Sequence, residues 1–140
     1  MDIIELIRIG VRRRVAENII PSEAYQRQWM DDAPDADLYV RETVMESSRT
    51  SVSQLTEKVV ALVEFDIFVR RGAYPNPMAV ASDYADKIIQ EFSPQFPARS
   101  SITLDDGDTA YIQSFPYQDA PSQESEWFRL PVLFNVGAYV

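Results

Sequence analysis

Between Lys58 and Phe92 the chain spells one long strand, a bend and one amphipathic helix, and this succession restricts the fold more than any other stretch. Val59, Ala61, Val63, Phe65, Ile67 and Val69 are apolar at alternate positions, while Glu64 and Asp66 take the other parity. A period of two marks a half-buried strand, with one face in a core and one in water. Arg70-Arg71-Gly72-Ala73-Tyr74-Pro75 supplies the bend. Asn76-Pro77 then sets a good N-cap residue before a proline at the first helical position. Met78, Ala81, Ala85, Ile88, Ile89 and Phe92 recur at helical spacing, with Asp83, Asp86, Lys87, Gln90 and Glu91 opposite, and Pro94 stops the helix.

The flanking sequence divides in the same way. Ile3, Ile4, Leu6, Ile7, Val11 and Val15 fit a helix from about Ile3 to Asn18 that ends near Pro21. Gly10 weakens it by about 1 kcal/mol relative to Ala. The polar stretch Asp31-Asp32-Ala33-Pro34-Asp35-Ala36-Asp37 leads into a first strand, Leu38–Glu46, rich in β-formers such as Tyr39, Val40, Thr43 and Val44. Ser47–Thr56 has four Ser, two Thr and no apolar period, so it reads as a long hairpin loop. Ser101–Leu104 and Thr109–Tyr117 read as strands joined at Asp105-Asp106-Gly107-Asp108, whose Asp-Gly pair signals a hairpin turn. As a calcium loop that turn lacks a later Glu at the required offset. Asp119–Ser125 reads as an exposed loop. Phe128, Leu130, Val132, Phe134, Val136, Ala138 and Val140 share one parity against Arg129, Asn135 and Gly137, a final strand in which Pro131 implies an edge position or a bulge.

The predicted order is therefore α-β-β-α-β-β-β, an α+β fold in which two helices pack on a mainly antiparallel sheet of about five strands. At 140 residues, one domain spanning 1–140 is the simplest organisation.

The inventory narrows the chemistry. With no Cys and no His, thiol chemistry, Cys-His dyads, His triads and His-based zinc sites are excluded. Four scattered glycines cannot build a phosphate cradle. Glu64 and Asp66, about 7 Å apart on one strand face, have the spacing of an acid/base pair or a metal site, and equally the ordinary look of a solvent-facing strand. No catalytic, cofactor-binding or metal site is expected. The start, Met1-Asp2-Ile3-Ile4-Glu5-Leu6, lacks a basic segment and does not read as a secretion signal, and no run reaches the roughly 20 apolar residues of a membrane span.

The net charge of −9 is uneven: residues 1–30 hold five arginines against four acidic residues, and the remainder holds 8 basic against 18 acidic. An acidic surface repels phosphate backbones, which disfavours nucleic-acid recognition. Arg12-Arg13-Arg14 points in three directions on a helix, about 100° apart, and reads either as a solvated face bridged to Glu17 or as an anion or partner site.

Leu38-Tyr39-Val40-Arg41, the run Val63-Glu64-Phe65-Asp66-Ile67-Phe68-Val69-Arg70-Arg71-Gly72 leading into Ala81–Phe92, and the closing Trp127-Phe128-Arg129-Leu130-Pro131-Val132 together resemble the tail terminator-like, or tail completion, proteins of long-tailed bacteriophages. The resemblance covers nearly the whole chain in element order and carries no catalytic signature. It implies a structural virion protein, assembled in the host cytoplasm and placed at the head-side end of the tail. There such proteins form a homohexameric ring, cap the tail tube protein, end its polymerisation and meet a head-tail connector protein. A head-closure or adaptor protein of the neck is the nearer alternative, and a small carboxylate-based enzyme or ligand-binding domain the more distant one.

A closed ring needs two different, matching patches on each subunit. The candidates are the corner of Arg70, Arg71 and Tyr74, and an acidic counterpart among Glu46, Asp105, Asp106 and Asp108. The alternative is that the two arginines are solvated loop charges at a strand end.

Overall fold

A computed structural model describes residues 2–20, 24–27, 35–94 and 100–140. The expected helix end at Pro21 and the Asp31–Pro34 part of the polar stretch lie outside the described residues. In chain order the elements are α1 (Ile3–Asn18), β1 (Tyr25–Arg27), β2 (Leu38–Ser51), β3 (Glu57–Arg70), α2 (Pro77–Glu91), β4 (Ser101–Thr103), β5 (Thr109–Ile112), β6 (Tyr117–Gln118), β7 (Ser122–Glu124) and β8 (Trp127–Tyr139). The α+β class and the order of the main elements are as predicted. The described residues add three short strands, β1, β6 and β7.

The sheet runs β1-β2-β3-β8-β5-β4, antiparallel except where β1 joins β2. Its spine is β2, β3 and β8, strands of 14, 14 and 13 residues that span roughly 45 Å at a rise of about 3.3 Å per residue. Both helices cover one face. Val59, Ala61, Val63, Phe65, Ile67 and Val69 of β3 are fully buried there against Ile7, Val11 and Val15 of α1 and Ala81, Ala85 and Ile88 of α2. Phe65, Phe92 and Phe134 stack at its centre, with ring centroids 4.8–6.0 Å apart. The predicted cap of α2 is formed, since Asn76 Oδ1 accepts the Ala79 N–H at 3.2 Å.

Three expectations are corrected. The Ser47–Thr56 segment is mostly strand: past an irregularity between Glu46 and Ser48, residues Ser48 to Ser51 pair with Val60 to Glu57, leaving Val52–Thr56 as the turn. Its side chains are exposed on both faces, so no apolar period marks it, and the ladder to β3 alone makes it a strand. Pro131 occupies neither an edge nor a bulge. It lies in an unbroken register with Asp66 of β3, inside the sheet. Its carbonyl accepts the Asp119 N–H, so its missing donor falls on the other side of β8, in the gap between β6 and β7. Thr109–Tyr117 is two strands rather than one. Four residues between Ile112 and Tyr117 oppose two of β8, and Ser114 Oγ accepts the Asn135 N–H at 2.9 Å where the ladder breaks.

The Asp105–Asp108 segment is the predicted turn: Gly107 adopts a φ of 91° and donates to the Leu104 carbonyl at 3.0 Å. Asp119–Ser125 is exposed apart from a half-buried Ser122, but Ser122–Glu124 forms β7 against β8.

Candidate functional site

Charged side chains gather at four places, and the first two are set by strand parity. The first lies on the helix-covered face. Glu42 pairs across β2–β3 with Phe65 and so points into the core beneath α1. Its carboxylate is fully buried and accepts from Arg8 Nη1 at 3.1 Å, and Arg8 also binds Glu5. Tyr25 of β1 lies at the same group. Burial, and then the negative charge of Glu42, push its phenol well above the ordinary range. Burial raises the Glu42 carboxyl too, with Arg12, Tyr25 and Arg8 opposing the rise.

The second lies on the helix-free face, where Glu64 and Asp66 do share one side of β3. That side is not simply wet. Asp66 is fully buried, with Arg129 at 2.9 Å and Arg41 at 3.4 Å, and Glu64 meets the same Arg129 at 3.4 Å. Burial and the adjacent Asp66 raise the Glu64 carboxyl, against Arg129 and Arg41. Arg41 also covers Phe68, which stacks on Tyr39 at 4.7 Å. These ion pairs tie β2, β3 and β8 together side by side, with both carboxylates already holding guanidinium partners.

The third is the corner after β3. Arg70 Nε lies 3.0 Å from Asp37, its Nη1 is 2.6 Å from Glu126, and its guanidinium stacks 4.6 Å above Trp127. Arg71 is exposed and its Nη1 donates to the Ser125 carbonyl at 3.2 Å. Among the described residues Arg71 makes no ion pair. Tyr74 is half-buried against the core.

The fourth lies at the opposite end of β3. Arg13 Nη2 donates to Asp105 at 2.7 Å, Arg49 donates to Glu46 at 2.8 Å, and Asp106 accepts the Asp108 N–H at 3.0 Å. Asp106, Asp2, Ile3, Leu6, Arg49 and Val140 line a pocket of about 290 Å³. The fold thus brings the four acidic candidates toward one end and leaves Arg70, Arg71 and Tyr74 at the other, roughly 30–40 Å away along β3. Asp2 and Arg49 are additions that nothing in the local sequence pattern singles out.

Arg12-Arg13-Arg14 binds separate parts of the fold, and Glu17 is only a lesser electrostatic neighbour of Arg13. Arg12 lies 3.9 Å from Glu42, Arg13 binds Asp105, and Arg14 binds Glu91 and the Ser101 carbonyl at 3.1 Å each. A second pocket, of about 330 Å³, opens beside Gly10, Arg13, Arg14, Glu91 and Ser101–Thr103.

Large apolar groups stand exposed away from the helices. Met45, Tyr111, Tyr117 and Tyr139 lie on the helix-free parity of β2, β5, β6 and β8, and Leu55, 94% exposed, tips the β2–β3 hairpin beside Val52. The described residues hold no group of three or more carboxylates placed to bind a metal ion, and no helix long and apolar enough to cross a membrane.

Solved structures share this fold, two of them over nearly the whole of both chains. One, a chain whose description states no function, superposes with a TM-score of 0.69 at 16% identity, covering 95% of this chain and 93% of its own length. The other comes from the virion of a native gene transfer agent particle, with a TM-score of 0.59 at 11% identity over 97% of this chain and 96% of that one. No protein-family model and no curated protein matches the sequence.

Proposed function

We propose that this chain is a structural protein of a phage-type virion, and specifically a ring-forming terminator that caps a tail tube and offers a surface for head-tail joining. The observation that carries this reading is the fold shared, over nearly the full length of both chains, with a component of a gene transfer agent virion. The sequence resemblance to tail terminator-like proteins supports the same role. The placement of the charged candidates supports the ring: a head-to-tail ring needs two unlike patches on one subunit, and here the Arg71 corner and the acidic pocket lie at opposite ends of one strand. The exposed apolar side chains of the helix-free face and of the hairpin tip are the surfaces left for tube and connector partners. Neither proposed task requires bond chemistry.

Adding the purified protein to polymerising tail tube subunits tests the role. The expected result is shorter tubes at rising protein concentration, with the protein at one tube end in electron micrographs. Unchanged tube lengths together with binding to isolated connector rings would favour the neck-protein alternative. No binding to either would overturn the virion role.

A further inference from the structure

We infer that Arg71 of one subunit seats in the pocket lined by Asp2 and Asp106 of a second copy of this chain, and that this contact closes the ring. The inference rests on the ring reading above. Its support is charge complementarity sharpened by elimination. Of the cations with described side chains, Arg8, Arg12, Arg13, Arg14, Arg41, Arg49, Arg70, Lys87 and Arg129 all lie in ion pairs within the subunit. That leaves Lys58 and Arg71. Lys58 pairs with Tyr139 at the acidic end itself, so it cannot serve as the distant counterpart. Arg71 stands at the far end, and it is held there: its backbone N–H bonds the Glu126 carbonyl at 2.8 Å, and its guanidinium Nη1 donates to the Ser125 carbonyl at 3.2 Å. A pre-positioned guanidinium loses little freedom on docking.

The pocket has the matching character. Asp2 and Asp106 are exposed and make no ion pair among the described residues, and Ile3, Leu6 and Val140 supply apolar walls for an arginine stem. Arg49 also lines it and feels the charge of Asp2, but its ion pairs are with Glu46 at 2.8 Å and Glu57 at 3.7 Å, which leaves the pocket net acidic. The neighbouring pocket beside α1 lacks this property, because both of its arginines bind acidic partners within the subunit.

Native mass spectrometry of the full chain and of two charge-reversed variants, Arg71→Glu and Asp2→Lys/Asp106→Lys, tests the contact. All three positions are exposed, and thermal unfolding of each variant checks that the subunit is intact. The expected result is a ring for the natural sequence, monomer for each variant alone at least tenfold above the concentration where the natural ring forms, and rings of three and three in a 1:1 mixture. The mixture restores every contact, since the carboxylate of the Arg71→Glu subunit then faces the lysine-bearing pocket, and Arg71 of the other subunit faces the unaltered one. Rings of Arg71→Glu alone would overturn this contact and leave the ring reading standing. A natural chain that stays monomeric, free and at tube ends, would overturn both.

Discussion

Arg8 and Glu42 form an ion pair sealed between α1 and the sheet: the arginine is 2% exposed, the glutamate 0%, and Nη1 lies 3.1 Å from Oε1. Two charges have been taken out of water in the middle of an otherwise apolar face. Their attraction is offset by desolvation, so the pair contributes little net stability while it stays whole. It becomes expensive when it is half removed.

Arg8→Met should therefore destabilise the fold by about 3 kcal/mol, because among the described residues Glu42 would keep a single cationic partner, Arg12 at 3.9 Å. Adding Glu42→Leu should recover most of that loss. Urea unfolding of the single and double variants measures both steps, and a double variant no more stable than the single one would contradict the account.

Glu64 gives a pH prediction. Its folded-state carboxyl is raised above the usual 4.5, first by burial and then by Asp66. The folded state thus holds this proton more tightly than the unfolded chain does. The resulting stability is full below about pH 4.5 and is lost as pH rises through the folded-state value. Glu64→Gln removes that loss, so the variant's Tm relative to the natural protein should climb from pH 4 to pH 7. A flat difference would show that Arg129 and Arg41 cancel the effect.

Asn76→Ala removes the one side-chain acceptor at the start of α2, the 3.2 Å bond to the Ala79 N–H. The expected loss is about 1 kcal/mol. Pro77 keeps the helix start in place, so Tm should fall while the helical circular dichroism of the folded protein stays the same.

Gly10→Ala sets two effects against each other. Helix propensity favours alanine by about 1 kcal/mol. A Cβ at this position would stand 2.7 Å from Ile102 Cγ2, on a β-branched side chain that has little rotamer freedom to yield. Overpacking of this kind costs about 1–3 kcal/mol, so the variant should be less stable by roughly 1 kcal/mol in denaturant unfolding. A stabilised variant would mean that β4 moves freely away from α1.

The elements that were legible in the sequence are those whose pattern is written by one buried face. The alternation at Val59–Val69 and Phe128–Val140 placed both central strands, and Asn76-Pro77 placed a helix start, because parity and capping depend only on near neighbours along the chain. Ser48–Ser51 carried no such mark, since both of its faces are exposed and only the hydrogen bonds to β3 make it a strand. Pro131 argued locally for an edge. It sits inside the sheet because β6 ends and β7 begins where its N–H would have been needed.

Charges show the same division. Composition alone excluded His- and Cys-based chemistry, and the alternation along β3 put Glu64 and Asp66 on one face. Which charges find partners was decided by the tertiary fold. The register of β2 on β3 turns Glu42 under α1, the last residue of β3, Arg70, reaches Asp37 and Glu126, and the β4–β5 turn brings Asp105 to Arg13. Those partners lie 33 to 92 residues apart in the chain. A local pattern carries no information at that range, so only the folded chain separates the paired arginines from Arg71.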